Sequence, residues 1–284
     1  LNFKNQIPFI EGVNLSNLTK TIETPFYIYS QNKIIDSFQK IQNTIKTNIY
    51  YALKANSNLA IISLMKSLGA GVDTVSIGEI MRSLEVGINP NKIIFEGVGK
   101  SKNDIEFALR NNIRQINIES IEELKLINEL AHSLKISANI GIRFNPDIDA
   151  LTLDKITTGR KKDKFGINLD KINEICLLIK NSKSINLKGI SCHIGSQIND
   201  PNIYEKVFIK MKKASEIMEQ QDLKINHLDL GGGFGVTYEN EKEIDLKIIS
   251  NLLDKIFENK YEISFEPGRY LVANAGVLIT KILI

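Results

Sequence analysis

The chain has 284 residues, 43% hydrophobic and 24% charged, which provides for a large core and excludes a disordered or low-complexity protein. Its formal charge is only +3, with basic and acidic residues interspersed, so no dedicated nucleic-acid face is expected. Two cysteines without CxxC spacing argue against a disulfide framework or zinc site, and no apolar run reaches the roughly 20 residues that span a bilayer.

With no secretory signal visible either, a cytoplasmic protein with no membrane or nucleic-acid partner and no bound metal is expected. The first 47 residues contain one short extra strand, 26–29, and a helix over about 31–46. From there, β-branched runs alternate with amphipathic segments. The runs predict strands at 48–53, 71–75, 92–95, 114–118, 137–144, 186–193, 226–230 and 261–266. Between them, 121–134 has apolar residues at helical spacing, and Ser101-Lys-Asn-Asp104 has the form of a capping box. Gly69, Gly71 and Gly87 follow predicted helices, where a left-handed cap is expected.

Eight strands with intervening helices is the count of a closed (β/α)8 barrel, an α/β fold. The strands read as mostly apolar runs, as buried parallel strands do. An open doubly wound sheet would carry a G-x-G-x-x-G turn after its first strand, and that turn is absent. The final run, Gly276-Val-Leu-Ile-Thr-Lys-Ile-Leu-Ile284, is apolar and β-branched and reads as a strand cut short, so a further C-terminal segment is expected.

Chemistry in such barrels sits at the C-terminal strand ends. The first counted strand ends Tyr50-Tyr-Ala-Leu-Lys54, and alternation places Lys54 at the barrel mouth if Leu53 packs against the helices. Poor hydration there would lower its pKa and suit it to a Schiff base, although from this strand alone a lysine emerging into solvent is the favoured reading. The second strand brings Asp73 inward with Val75, a buried acid needing a cation or else a turn aspartate. The sixth ends at His193 on the face of Ser191, followed by Gly195 and Ser196. That imidazole could stack on a planar group or move protons, or be structural. The seventh runs into Gly231-Gly-Gly-Phe-Gly235, a turn able to offer N–H groups to an anion, with Val236 breaking the dinucleotide fingerprint. The eighth ends Glu266-Pro-Gly-Arg269, an inward acid followed by a close backbone approach and a guanidinium fork suited to phosphate. His132 and His227 read as structural.

Taken together, Tyr51-Ala-Leu-Lys-Ala-Asn56, Asp73-Thr-Val-Ser-Ile-Gly-Glu79, Gly97-Val-Gly-Lys100, Cys192-His-Ile-Gly-Ser-Gln197, Asp229-Leu-Gly-Gly-Gly233 and Glu266-Pro-Gly-Arg269 resemble the fold-type III pyridoxal-phosphate decarboxylases, which act on ornithine, diaminopimelate or arginine. Arg143-Phe-Asn-Pro-Asp147, Thr158-Gly159 and Lys164-Phe-Gly-Ile167 look like the diaminopimelate branch. The resemblance implies an alanine racemase-like TIM barrel over 25–275. It assigns 1–24 and 276–284 to a β-rich second domain that is mostly missing here. In relatives that domain lends a cysteine, an acidic residue and a tyrosine to the partner subunit's site. A homodimer is therefore implied, and inactivity of the barrel alone.

It further implies pyridoxal 5'-phosphate held by Lys54 as a Schiff base, with Asp73 supporting the lysine's charge, His193 stacked on the ring and Glu266 on the ring nitrogen. Ser196, Gly232, Gly233, Pro267, Gly268 and Arg269 would complete the cofactor site, and Arg269 would also meet a substrate carboxylate. The amino-acid substrate would be meso-diaminopimelate and the product L-lysine. The basic loop 148–164 resembles the family's lid. Alternatives are an ornithine, arginine or carboxynorspermidine decarboxylase, a non-catalytic cofactor-binding protein, and a cofactor-free aldolase-type lysine barrel.

Overall fold

The computed structural model describes residues 2–150, 157–161 and 163–283. The chain opens with a small antiparallel meander, β1 (Asn2–Lys4), β2 (Ile7–Ile10) and β3 (Val13–Asn14). Then come β4 (Phe26–Tyr29) and a helix, Gln31–Ile45, whose first turn is capped by the Ser30 hydroxyl accepting from Lys33 N–H. The expected strand and helix at these positions are both present.

The barrel follows, made of β5 (Asn48–Ala52), β6 (Gly71–Thr74), β7 (Ile93–Phe95), β8 (Gln115–Ile118) and β9 (Ala138–Asn145). A two-residue strand, β10 (Ile167–Asn168), pairs with the end of β9 and has no counterpart among the expected strands. The barrel resumes with β11 (Ile185–Ser191), β12 (His227–Asp229) and β13 (Glu262–Phe265). Neighbours are parallel throughout, β13 pairs with β5, and β8 pairs with β9, so the ring closes. Finally β14 (Gly276–Ile279) pairs antiparallel with β4, outside the barrel.

β7 is wholly apolar and buried, but several other strands alternate, with the polar residues pointing inward. On β8, Ile116 and Ile118 join the apolar layer under the helices, while Gln115 and Asn117 are wholly buried on the other face. The same alternation gives Leu228 against His227 and Asp229 on β12, and Phe144 against Arg143 and Asn145 on β9. The main hydrophobic core is therefore the shell between strands and helices, where Ile62, Met65, Ile80, Ile105, Ile127 and Phe208 interdigitate with the outward strand residues. Each such side chain contributes roughly 1.5–3 kcal/mol.

Two glycines explain local turns. Gly69, at φ +85, ends its helix as expected. Gly71 is no cap: it lies in β6, and a Cβ there would sit 2.4 Å from the Tyr50 ring, so it is small because an inward tyrosine lies across it. Among the described residues no helix is long and apolar enough to cross a membrane.

Candidate active site

β5 ends at Ala52 and tightens into a 3-10 turn, Leu53–Ala55. Leu53 is fully buried in the outer core, which turns Lys54 toward the barrel mouth. Tyr51 secures the turn by donating its hydroxyl to Asn56 C=O at 2.9 Å. Lys54 Nζ donates to Asp73 Oδ2 at 3.0 Å, and Asp73 is wholly buried on the inner face of β6. Val75, expected on that same face, is instead 38% exposed, because β6 ends at Thr74 and the chain turns outward there.

Three buried carboxylates converge here: oxygens of Asp73, Glu96 and Glu266 all lie within 4.8 Å of one another. Glu96 immediately follows β7 and pairs with Arg143 Nη1 at 3.0 Å. The same Nη1 reaches Glu119 at 2.7 Å, and Glu96 also accepts from Asn117 and Ser191. Arg143 and Lys54 outweigh burial and hold Glu96 below its usual range. Among the described residues Glu266 forms no ion pair. Burial, then Asp229, Asp73 and Glu96, push its carboxyl well above the usual range, with Lys54 opposing. One of its oxygens, Oε1, is buried without a hydrogen-bond partner. Burial and Glu96 push Asp229, next to it, up to about 7.

Lys54 departs from expectation. Burial alone would lower its pKa, but Asp73, Glu266 and Glu96 together more than reverse this and raise it. The amine is therefore a cation at neutral pH and must lose a proton before it can attack a carbonyl.

His193 lies just past β11 on the same wall. Its Nδ1 accepts from Gly232 N–H at 3.2 Å. Burial, with Lys54 and Arg143 nearby, keeps the ring neutral. An accepting Nδ1 on a neutral ring leaves the proton on Nε2. Gly232 is itself tightly placed, its C=O accepting from Tyr204 hydroxyl at 3.0 Å.

A cavity of about 250 Å³ connects these groups, bounded by Lys54, His193, Ser196, Gly233, Glu266 and the stretch Pro267–Tyr270. Gly233, at φ +86, brings its backbone to the wall, where a Cβ would lie 2.4 Å from Gly195 C=O. Among the described residues the N–H groups of Gly233 and Gly268 meet no acceptor. Arg269 has no carboxylate partner there, only Tyr238 hydroxyl at 3.4 Å. A second cavity of about 440 Å³, bounded by Tyr27, Tyr29 and Tyr238, shares Lys54 and Arg269 with the first. A cavity of about 520 Å³ lies at the opposite rim beside Asn48 and Glu262, where the strands begin, and contains none of these groups.

All the expected site residues are therefore at one rim. Their arrangement fits a flat heteroaromatic phosphate: a primary amine, an acid able to meet a ring nitrogen, an imidazole wall, and amides with a guanidinium at the far end. The sequence reading missed Glu96, Glu119 and Asp229 as site groups and saw Arg143 only within a loop motif. The same strand-end rule that found Lys54 would have found Glu96 and Glu119, which follow β7 and β8 directly. Within the expected lid, residues 151–156 and 162 lie outside the described residues.

Residues 31–273 match the pyridoxal binding domain of the pyridoxal-dependent decarboxylases. The chain is 43% identical to a diaminopimelate decarboxylase of Helicobacter pylori strain J99, over 95% of this chain and 68% of the relative. It is 39% identical to that of Aquifex aeolicus, over 99% and 68%. The crystal structure of the Helicobacter pylori enzyme complexed with L-lysine superposes with a TM-score of 0.92 at 42% identity, over 95% of this chain and 70% of that one.

Proposed function

The chain belongs to the pyridoxal-dependent decarboxylases and, within them, to the diaminopimelate decarboxylases, and on that premise we propose that it removes one carboxylate of meso-2,6-diaminopimelate to leave L-lysine, using pyridoxal 5'-phosphate. The observation that carries the reading is the meeting of Lys54, the Glu266 carboxyl with its unpartnered Oε1 and the open amides of Gly233 and Gly268 around one cavity.

When bound, the cofactor supplies an electron sink for the bonding pair left by the departing carboxylate. The chain's own groups supply aim, charge and proton control. Lys54 is the amine that would hold the cofactor's aldehyde carbon, and Asp73 Oδ2, 3.0 Å away, is the base in reach for its extra proton. Glu266 presents a buried carboxyl, its pKa raised by burial and by Asp229, Asp73 and Glu96, that would face the ring nitrogen. Charge on that nitrogen deepens the sink, and every ~1.4 kcal/mol gained there is about tenfold in rate. His193 would cover one ring face as a neutral imidazole. Gly233, Gly268, Ser196 and Arg269 would receive the phosphate. Arg269, shared by both cavities, is also the cation placed to meet a substrate carboxylate.

The chain spans about 68% of the length of these relatives. In our reading, 1–24 and 276–284 belong with a second, β-rich domain, consistent with β1–β3 and the β4–β14 pair standing outside the barrel sheet. The working form is a cytoplasmic homodimer in which the partner completes the substrate cavity. Tyr27 at 66% and Leu278 at 50% exposure line that side as apolar surface awaiting cover.

The test is carbon dioxide release by the full-length enzyme from meso-diaminopimelate, ornithine, arginine and carboxynorspermidine. Turnover of the first alone is expected. Comparable kcat/KM on ornithine or arginine would sink the substrate assignment.

A further inference from the structure

His193 is held from behind by a segment remote in sequence. β11 ends at Ser191, so the backbone of His193 lies beyond the barrel ladder. The segment after the loop from β9 takes the place of a neighbour. Thr158 Oγ1 donates to His193 C=O at 2.9 Å, Thr158 N–H donates to Ile194 C=O at 3.0 Å, and Thr157 forms an antiparallel bridge with Gly195. Next along, Gly159 packs so closely that a Cβ would lie 2.8 Å from both Ile148 C=O and Ile194 Cβ.

The segment is itself fixed to the barrel interior. Asn145 Nδ2 donates to Arg160 C=O and Phe165 C=O at 2.8 and 3.1 Å. Gly166 N–H donates to Glu119 at 2.8 Å, the carboxylate that also holds Arg143. On the other side, Gly232 N–H donates to Nδ1 of the His193 ring. Imidazole tilt thus depends on two anchors: Gly232 on the ring and Thr158 on the backbone.

We infer that Thr158 is a positioning residue for the pyridoxal-phosphate site, setting the tilt of His193 through a hydrogen bond to its carbonyl. The inference rests on the reading of His193 as the wall of the cofactor cavity. It links the described part of the 148–164 loop to the cofactor site through one hydroxyl. Valine keeps the branched shape and removes the hydroxyl that donates to His193 C=O.

The experiment uses the full chain as wild type, Thr158→Val and Thr158→Ser, with Thr158→Ala in place of the valine variant should that one fail to fold. Pyridoxal-phosphate affinity is read by visible absorbance titration, and ring orientation by visible circular dichroism of the bound chromophore. Thr158→Val is expected to weaken binding about fivefold, the worth of one neutral hydrogen bond, and to change the visible dichroism. Thr158→Ser should restore both, which a purely packing role would not produce. Wild-type affinity and dichroism in the valine variant would overturn the inference, as would a serine variant that behaves like it. A wild-type chain that takes up no pyridoxal phosphate would instead sink the functional reading, and this inference with it.

Discussion

At Glu266, burial and three neighbouring carboxylates act in the same direction, and all of them favour the protonated carboxyl. Glutamine has the same shape but cannot complete an ion pair with a ring nitrogen. Glu266→Gln should therefore lower kcat tenfold or more while leaving the protein folded, read by steady-state kinetics beside a thermal melt. Asp229 makes the same physics visible in stability. Its folded pKa, about 7, lies above the ordinary 3.8, so the folded state binds the extra proton. That contribution is full below about 4 and lost as pH rises to about 7. Buried His227, lowered to about 3, acts in the opposite direction below its ordinary 6.5, so the informative quantity is the difference between proteins. Relative to wild type, Asp229→Asn should show less loss of unfolding free energy between pH 4 and 7 in urea titrations. Identical profiles would contradict the buried-proton account. Lys54 shows where residue-scale reading of sequence falls short. Its place at a strand end was legible, and so was Asp73 as its neighbour, but the sign of its pKa shift was not. That sign comes from Asp73 first, joined by Glu266 and Glu96, which are distant in sequence and adjacent only in the closed barrel.

Elements were legible where a local rule defines them. Ser101 and Asp104 form the full capping box, each side chain bonding the other's backbone N–H. Ser101→Ala should cost about 1 kcal/mol in chemical denaturation, and no change would show that the helix Lys102–Arg110 is held by packing alone. All eight barrel strands fall where β-branched runs place them, because a parallel strand's outer face must be apolar to meet the helices. The inner face escaped the reading. Asn117 and Arg143 both donate to Glu96 across strands, a partnership that no window along the chain contains. Glu119 is the hinge of that network, accepting from Arg143 and from the N–H groups of Gly97 and Gly166. Glu119→Ala strands part of a buried cation and two amides. It should cost about 3–5 kcal/mol in urea unfolding, the range for one partner lost from a buried pair. A cost below about 1 kcal/mol would mean that water already reaches the network.

For the whole molecule, closure of the ring between β8 and β9 is what turns eight separate strand ends into one rim. Lys54 and Glu266 come from neighbouring strands at the chain's two ends, since β13 pairs with β5, and their meeting depends on that seam. Two cavities share Lys54 and Arg269, which gives the rim a cofactor side and a side open to substrate. The β4–β14 pair borders the second cavity through Tyr27, Tyr29 and Gly276, so whatever covers those strands also shapes the substrate's approach. The central claim is that Lys54 is the amine that carries the cofactor. It is tested most directly by loading the protein with pyridoxal phosphate, reducing it with borohydride and mapping the peptides. The account predicts a visible absorbance band, bleached on reduction, with the pyridoxyl group on Lys54. A stable adduct on another lysine, or a wild-type protein with no reducible chromophore, would contradict it.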